Sequence, residues 1–302
     1  MVNRVQAGQQ LGNYRLVRRL GAGGFAEVYL GEHRYLKRQV AIKVLLVELS
    51  GDDRESERFL SEAQTMAALK HPHIIGCLDF GIEHNVPYIV MDYAPGGTLR
   101  DLHPEGNLVP LDTVVASVEQ VADALQYAHD QGVIHLDVKP ENMLLGQSGE
   151  ILLSDFGLAR FTRSVSKRVT SLVGTISYMA PEYIQRKPQA ASDQYSLAMV
   201  AYEWLTGVRP FDGDDERIVV GQQLQTLPPC SGRSEPWLWP PPQAGVWVIV
   251  KPWRRCRLPS FLSEASRLHS CSPFPWRIWA MPIPLPAPIS RRSPPAFLAP
   301  KM

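Results

Sequence analysis

Apolar and polar positions alternate weakly from Tyr14 to Leu20, break at Gly21-Ala-Gly-Gly24, and resume from Ala26 to Gly31. The pattern predicts a strand, a tight glycine-rich turn and a second strand. A more continuously apolar run, Gln39 to Val47, predicts a third strand. Phe59, Ala63, Met66 and Leu69 recur at helical spacing, so Glu55 to Leu69 reads as an amphipathic helix. His71-Pro72 ends it, because the residue before proline is pushed out of the α region. Val86 to Tyr93 reads as another strand and Pro95-Gly-Gly97 as a loop. Beyond this the texture turns helical. Asp112 is a good N-cap for a helix to His129, with Val114, Val118, Val121 and Leu125 on one stripe. Val133 to Gly157 holds short strands and loops, and Ser192 to Leu205 a strongly apolar helix. A β-rich segment of roughly 80 residues thus precedes an α-rich one, an α+β arrangement in two lobes.

Composition changes this picture at one point. Of 26 prolines, 17 fall from Pro228 onward, with six of the seven tryptophans and three of the four cysteines. From Val220 the only acidic residues are Glu235 and Glu264. The first two-thirds and the last quarter are different kinds of sequence. The formal net charge of +1 gives no reason to expect nucleic acid or an acidic membrane surface as a partner. Cys77, Cys230, Cys256 and Cys271 have no CxxC spacing, so neither a zinc site nor a disulfide framework is expected, and a reducing cytoplasm is the default compartment. Met1 to Gln10 lacks the apolar core of a signal peptide, and no run approaches the roughly 18–20 apolar residues that span a bilayer.

Candidate chemistry begins at Gly21-Ala-Gly-Gly-Phe-Ala26, where missing side chains would let backbone N–H groups approach phosphate oxygens. A glycine-rich turn is also just a turn. Lys43 closes Val40-Ala-Ile-Lys43; it is either a solvated strand end or a phosphate ligand held by a carboxylate. Glu62 is the candidate carboxylate, or one of several exposed helix acids beside Glu55 and Glu57.

His135-Leu-Asp-Val-Lys-Pro-Glu-Asn142 followed by Ser154-Asp-Phe-Gly157 resembles the catalytic loop and magnesium-binding loop of the eukaryotic-type protein kinases. The glycine-rich turn, Val40-Ala-Ile-Lys43 and Ala180-Pro-Glu182 stand in the family's order, and the likeness covers roughly 11–218. Gly-Gly-Phe-Ala-Glu-Val-Tyr and Ala-Ser-Asp-Gln-Tyr-Ser-Leu are similar to bacterial serine/threonine kinases. The resemblance implies a bilobal fold: a β-rich N-lobe over 11–93, an incomplete α-rich C-lobe over 94–219 that lacks its last helices, and a tail over 220–302.

What it implies chemically is ATP- and magnesium-dependent transfer of the γ-phosphate to Ser/Thr hydroxyls of proteins. Asp137 would accept or orient the hydroxyl proton, Asn142 and Asp155 would hold magnesium, and Lys139 would contact the γ-phosphate. A lysine two residues after the catalytic aspartate is typical of serine/threonine kinases. Thr175 would bridge Asp137 and Lys139, and Asp193 would hydrogen-bond the catalytic-loop backbone. Lys43 would hold the α/β-phosphates with Glu62 as its anchor. Leu20, Gly21, Gly23 and Gly24 would cover the nucleotide, Val28, Ala41 and Leu144 would sandwich the adenine, Met91 would be the gatekeeper, and Asp92 and Ala94 would meet the adenine edge. Self-association for autophosphorylation would be compatible with these roles.

Two departures stand out. The usual His-Arg-Asp reads His135-Leu136-Asp137, so the arginine that binds a phosphorylated loop residue is absent. Thr170, Ser171, Ser164 and Ser166 are candidate phosphosites, near Arg160, Arg163, Lys167 and Arg168. From Val220 the chain turns Pro/Trp/Arg-rich where the family continues with about three more helices. Such a tail is either a disordered, polyproline-like ligand for an SH3-type partner or a translated wrong reading frame. The second reading is preferred, because Lys251-Pro-Trp-Arg-Arg-Cys-Arg-Leu-Pro-Ser260 permits shifted codons for Ala-Leu-Ala-Lys-Met-Pro-Pro-Ala-Lys. That resembles the end of intact kinase domains, where an arginine pairs with the glutamate matching Glu182. The complete catalytic set favours an active kinase. The alternatives are an inactive truncated remnant, for which only the tail argues, and an ATP-binding pseudokinase scaffold, for which no lost ligand argues.

Overall fold

The computed structural model describes residues 6–24, 26–46, 53–156, 176–213, 215–226, 249–252 and 276–279. Its first six strands are β1 (Gln10–Leu11), β2 (Tyr14–Ala22), β3 (Ala26–His33), β4 (Gln39–Leu45), β5 (Cys77–Glu83) and β6 (Val86–Asp92). They form one antiparallel sheet in the order β1-β2-β3-β4-β6-β5. Successive side chains of a strand point to opposite faces. In β4, Val40, Ile42 and Val44 join a buried cluster with Leu16, Tyr29, Tyr88 and Val90. Ala41 and Lys43 therefore face the other way, opposite Met91 and Ile89 of β6.

Helix α1 (Asp53–Ala68) lies against β5 and buries Phe59, Ala63 and Met66, the stripe its periodicity predicts. Strand β5 is not visible in the sequence. It is an edge strand with no alternating burial, so nothing in its composition marks a buried face.

The second lobe is helical: α2 (Leu99–Leu102), α3 (Leu111–Asp130), α4 (Pro181–Ile184), α5 (Ala190–Thr206) and α6 (Glu216–Gln225), with a short hairpin of β7 (Met143–Leu145) and β8 (Ile151–Leu153). Asp112 is not the N-cap of α3. The helix opens at Leu111 behind Pro110, which makes no side-chain cap, and Asp112 sits in the first turn, where its charge favours the positive helix end. Helix α5 buries Leu197, Met199, Val200 and Trp204 and ends at Gly207, whose φ of 76° is the left-handed conformation of a helix stop.

Helix α6 departs from the sequence expectation of no helix beyond Val220, and it runs across the boundary drawn at 219. It carries no apolar stripe. Its most deeply buried residues are Val219 and Gln223, four apart on one face, and a buried glutamine reads as a surface residue in a sequence.

The chain divides into two compact units, 1–233 and 234–302. In the second, β9 (Ile249–Pro252) pairs antiparallel with β10 (Trp276–Trp279). The expectation that the tail is disordered or out of frame otherwise falls outside the described residues. Among those, no helix is long and apolar enough to cross a membrane.

Candidate active site

The site is assembled from the far face of β4, the loop after α3 and the loop after β8. Thr98 bridges Leu144 of β7, and β8 is fastened to 73–75: Leu153 N–H donates to His73 O (2.9 Å) and Ile75 N–H to Leu153 O (3.0 Å). These bonds fix where Asp155 emerges, two residues after β8. Lys43 Nζ lies 2.6 Å from Asp155 Oδ2, and each side chain is 16% exposed. Burial pushes the Asp155 carboxyl up, but Lys43, with Lys139 and His135 behind it, outweighs burial and holds it below the usual carboxylate range.

Asp193 of α5 is fully buried and organises the backbone of the loop after α3. Its Oδ2 accepts from His135 N–H (2.8 Å) and lies 2.7 Å from His129 Nε2, and its Oδ1 accepts from Leu136 N–H (2.7 Å). His135 Nε2 reaches Ser154 O at 2.7 Å, and the His135 ring packs edge-on against Phe156. Two non-glycine residues, Leu136 (φ 66°) and Asp155 (φ 70°), take the left-handed conformation here. Each costs of order 1–3 kcal/mol and persists only because neighbours over-determine it. The paired bonds from Asp193 and the Lys43 contact are those neighbours.

Asp137 follows Leu136. Lys139 Nζ lies 2.9 Å from its Oδ2, and Asn142 Nδ2 donates to Asp137 O (2.7 Å) and Oδ2 (2.9 Å). With its amide nitrogen spent on Asp137, Asn142 keeps a carbonyl oxygen that makes no hydrogen bond among the described residues.

Lys43 and Asp155 thus form one pair, and Asp137, Lys139 and Asn142 a second group, with the two loops joined where Ser154 N–H donates to Asn142 O (2.8 Å). Glu62 is half-buried on α1 and forms no ion pair among the described residues; the carboxylate on Lys43 is Asp155. Met91 and Ala41 are buried, and Val28, Asp92, Ala94 and Leu144 half-buried. Asp92 is held by Arg38 (2.5 Å) and donates its N–H to Gly76 O (2.9 Å). Leu20, Gly21, Gly23 and Gly24 are exposed around the turn that Gly23 N–H closes onto Ala26 O (2.8 Å). A Cβ at Gly21 would meet nothing within 4 Å and its φ is ordinary, so neither packing nor backbone demands glycine there. What glycine keeps is an uncovered backbone. Thr175 and the candidate phosphosites lie outside the described residues.

The sequence did not reveal a second network beside the loop. Arg100 of α2 donates to Glu141 Oε1 (2.8 Å), Glu203 Oε1 (2.6 Å) and the Tyr178 hydroxyl (2.5 Å), and Tyr178 donates to Glu203. Burial alone would lower the Arg100 pKa, but Glu203, Tyr178 and Glu141 outweigh it and keep the guanidinium charged. Its members are separated by up to 103 positions and no local pattern pairs them.

The protein kinase domain family matches residues 14–239. The chain is 36% identical over 243 residues to the serine/threonine-protein kinase PrkC of Bacillus subtilis, covering 80% of this chain and 37% of that protein. It is 38% identical over 244 residues to the serine/threonine-protein kinase PknF of Mycobacterium tuberculosis (77% and 51%). It is 40% identical over 235 residues to the serine/threonine-protein kinase PknB of the same species (74% and 37%). The chain spans about a third to a half of the length of these relatives.

Proposed function

The chain belongs to the protein kinase family, and from that premise we propose that it transfers the γ-phosphate of ATP to Ser/Thr hydroxyls of protein substrates. The observation that carries this is the pair Lys43–Asp155 together with the group Lys139–Asp137–Asn142. Phosphoryl transfer asks mainly for positioning and charge neutralisation. Asp137, its carboxylate steered by Lys139 and Asn142, orients the acceptor hydroxyl and takes its proton. Lys139 faces the same point and offsets charge on the transferring group. Lys43 holds the α/β-phosphates, its ammonium placed here by Asp155; Glu62 is the anchor that the family resemblance assigns to it. The uncovered backbone of Gly21, Gly23 and Gly24 lies over the phosphates, and Leu20, Val28, Ala41, Met91, Asp92, Ala94 and Leu144 enclose the adenine. Thr175 is proposed to bridge Asp137 and Lys139.

The donor set suits magnesium. The side-chain oxygen of Asn142 and the Asp155 carboxylate are hard ligands, and no group of three or more His, Cys, Asp or Glu residues able to hold a metal occurs among the described residues. A small protein contribution completed by water and phosphate is the habit of magnesium, which when bound neutralises phosphate charge. The reaction is expected in the cytoplasm.

Phosphoamino-acid analysis of a generic basic protein incubated with the chain, labelled ATP and magnesium tests the proposal. Label on serine or threonine that needs magnesium supports it; magnesium-independent label, or label on tyrosine alone, contradicts it.

A further inference from the structure

Four large apolar residues stand exposed on two adjoining loops of the helical lobe. Leu102 (53%), Leu108 (58%) and Leu111 (40%) run from the end of α2 to the start of α3, and Val208 (61%) follows α5. The two loops are stitched together. Val109 N–H donates to Trp204 O at 2.8 Å, the His103 ring packs edge-on against Trp204, and Arg209 pairs with Glu105. Leu108 lies against the turn that presents Val208, its Cδ2 3.5 Å from where a Cβ at Gly207 would stand. Asn107 N–H closes the intervening turn onto Pro104 O (3.1 Å). A backbone tied at this many points does not fold these side chains inward.

Around them the charge is one-sided. Asp101, Asp112, Asp212 and Glu105 are exposed. Arg209 is largely buried and spent on Glu105 and Asp212, and Arg100 turns inward to Glu141, Glu203 and Tyr178. Burial pushes the His103 pKa down, so that ring is uncharged at neutral pH and offsets none of the acids. Apolar residues exposed singly mean little, whereas a cluster rimmed by charge marks an interaction site. A two-fold contact between copies would set these acids against their own images, so a cationic partner fits better. The surface adjoins the active site, because Arg100, two residues before Leu102 on α2, binds Glu141, four residues beyond Asp137. We propose that Leu102, Leu108, Leu111 and Val208, with the acids around them, form a docking surface for a segment of the protein substrate in which large apolar residues alternate with lysine or arginine, separate from the residue that is phosphorylated. The substrate assignment rests on the kinase reading above; the binding of a cationic, apolar segment does not. Contacts remote from the reacting atoms, made equally before and during transfer, lower KM and leave kcat alone.

The test uses the full chain, its Leu108→Ser/Val208→Ser and Asp112→Lys/Asp212→Lys variants, and a fluorescent Lys-Leu-Arg-Leu-Lys peptide. All four substituted residues are exposed, so both variants are expected to melt as the wild type does. Fluorescence anisotropy is expected to show saturable binding to the wild type, about tenfold weaker in either variant, weakened by salt, and absent for Glu-Leu-Glu-Leu-Glu. A threonine peptide joined to the cationic segment through a Gly-Ser linker is expected to show a KM about tenfold below that of the threonine peptide alone. Either variant removes that difference, with kcat and KM for ATP unchanged. Equal binding of the cationic peptide by the wild type and both variants overturns the inference, as does no binding, or a KM in an active wild type that ignores the segment. Self-association of the wild type that L108S/V208S abolishes, without peptide binding, also overturns it and gives the surface to a second copy. If the wild type transfers no phosphate while peptide binding follows the expected pattern, the kinase reading fails and the docking surface stands.

Discussion

Asp193 carries more of the site than any residue that would touch substrate. One fully buried carboxylate accepts two backbone N–H bonds and faces His129, and those bonds hold Leu136 at a φ of 66°. Asp193→Asn replaces an acceptor by a donor against those N–H groups and is expected to lower stability by about 2–3 kcal/mol. Denaturant melts measure that loss; a change within 0.5 kcal/mol, the scale of ordinary surface substitutions, would refute the role. Leu136 itself bears on regulation, since a buried leucine in place of arginine cannot pair with a phosphate. Phosphorylating Ser164, Ser166, Thr170 and Ser171 is accordingly expected to change turnover by less than about threefold. Comparison of dephosphorylated with autophosphorylated protein checks this, and a large activation would sink it. Asp155 supplies a pH dependence. Its pKa is held down in the folded state, so its stabilising pair with Lys43 is complete above the unfolded carboxylate pKa and is lost as pH falls through the lower folded value. The stability difference between wild type and Asp155→Asn should therefore shrink on acidification below about pH 4. A difference independent of pH down to about pH 2 would contradict the pairing.

At the scale of elements, what could be read in advance was what buries a regular face. Strands β2 and β3 and helices α1 and α3 show apolar positions at their own period, and β4, β6 and α5 show continuous apolar runs, so the sequence places them within a few positions. The exceptions share a cause. Strand β5 is an edge strand with no alternating burial, and α6 is anchored by one valine and one glutamine. Asp112 looked like a helix cap because it is a good capping residue, but Pro110 takes the cap position two residues earlier, its φ fixed by the ring. The candidate residues that the structure brings together, Lys43, Asp137, Lys139, Asn142 and Asp155, could be picked out because their spacing within short motifs is itself a signature. The Arg100–Glu203–Tyr178 network could not, because its members meet only in the fold. The stop of α5 offers an element-scale test. At Gly207 a Cβ would meet Gly106 O at 3.0 Å on a left-handed backbone. Gly207→Ala is expected to cost about 1–2 kcal/mol, read as a lower melting temperature. An unchanged melt would show that the turn relaxes freely.

For the whole molecule, the catalytic set sits in the compact unit 1–233, and the compositional break follows within the helix α6 region. Glu182 is half-exposed and its Oε1 accepts from Ser192 Oγ at 2.7 Å; no arginine pairs with it among the described residues. Tyr195, Ala198, Tyr202 and Leu205 leave a half-exposed stripe along α5. If the tail is a shifted reading frame, the coding region around residues 205–265 should, in another frame, continue into apolar-periodic helices ending in an Ala-Leu-x-Lys-like stretch. Sequencing with three-frame translation checks this, and no such frame would mean that the Pro/Trp/Arg-rich tail is genuine.

The most direct measurement of the central claim is single-turnover phosphate transfer from magnesium-ATP by the wild-type chain and by Asp137→Asn, with nucleotide affinity measured on both. The account predicts equal affinity and a transfer rate reduced by about 10²–10⁴ in the variant, the range of a positioned proton acceptor. Equal transfer rates in the two proteins would contradict it.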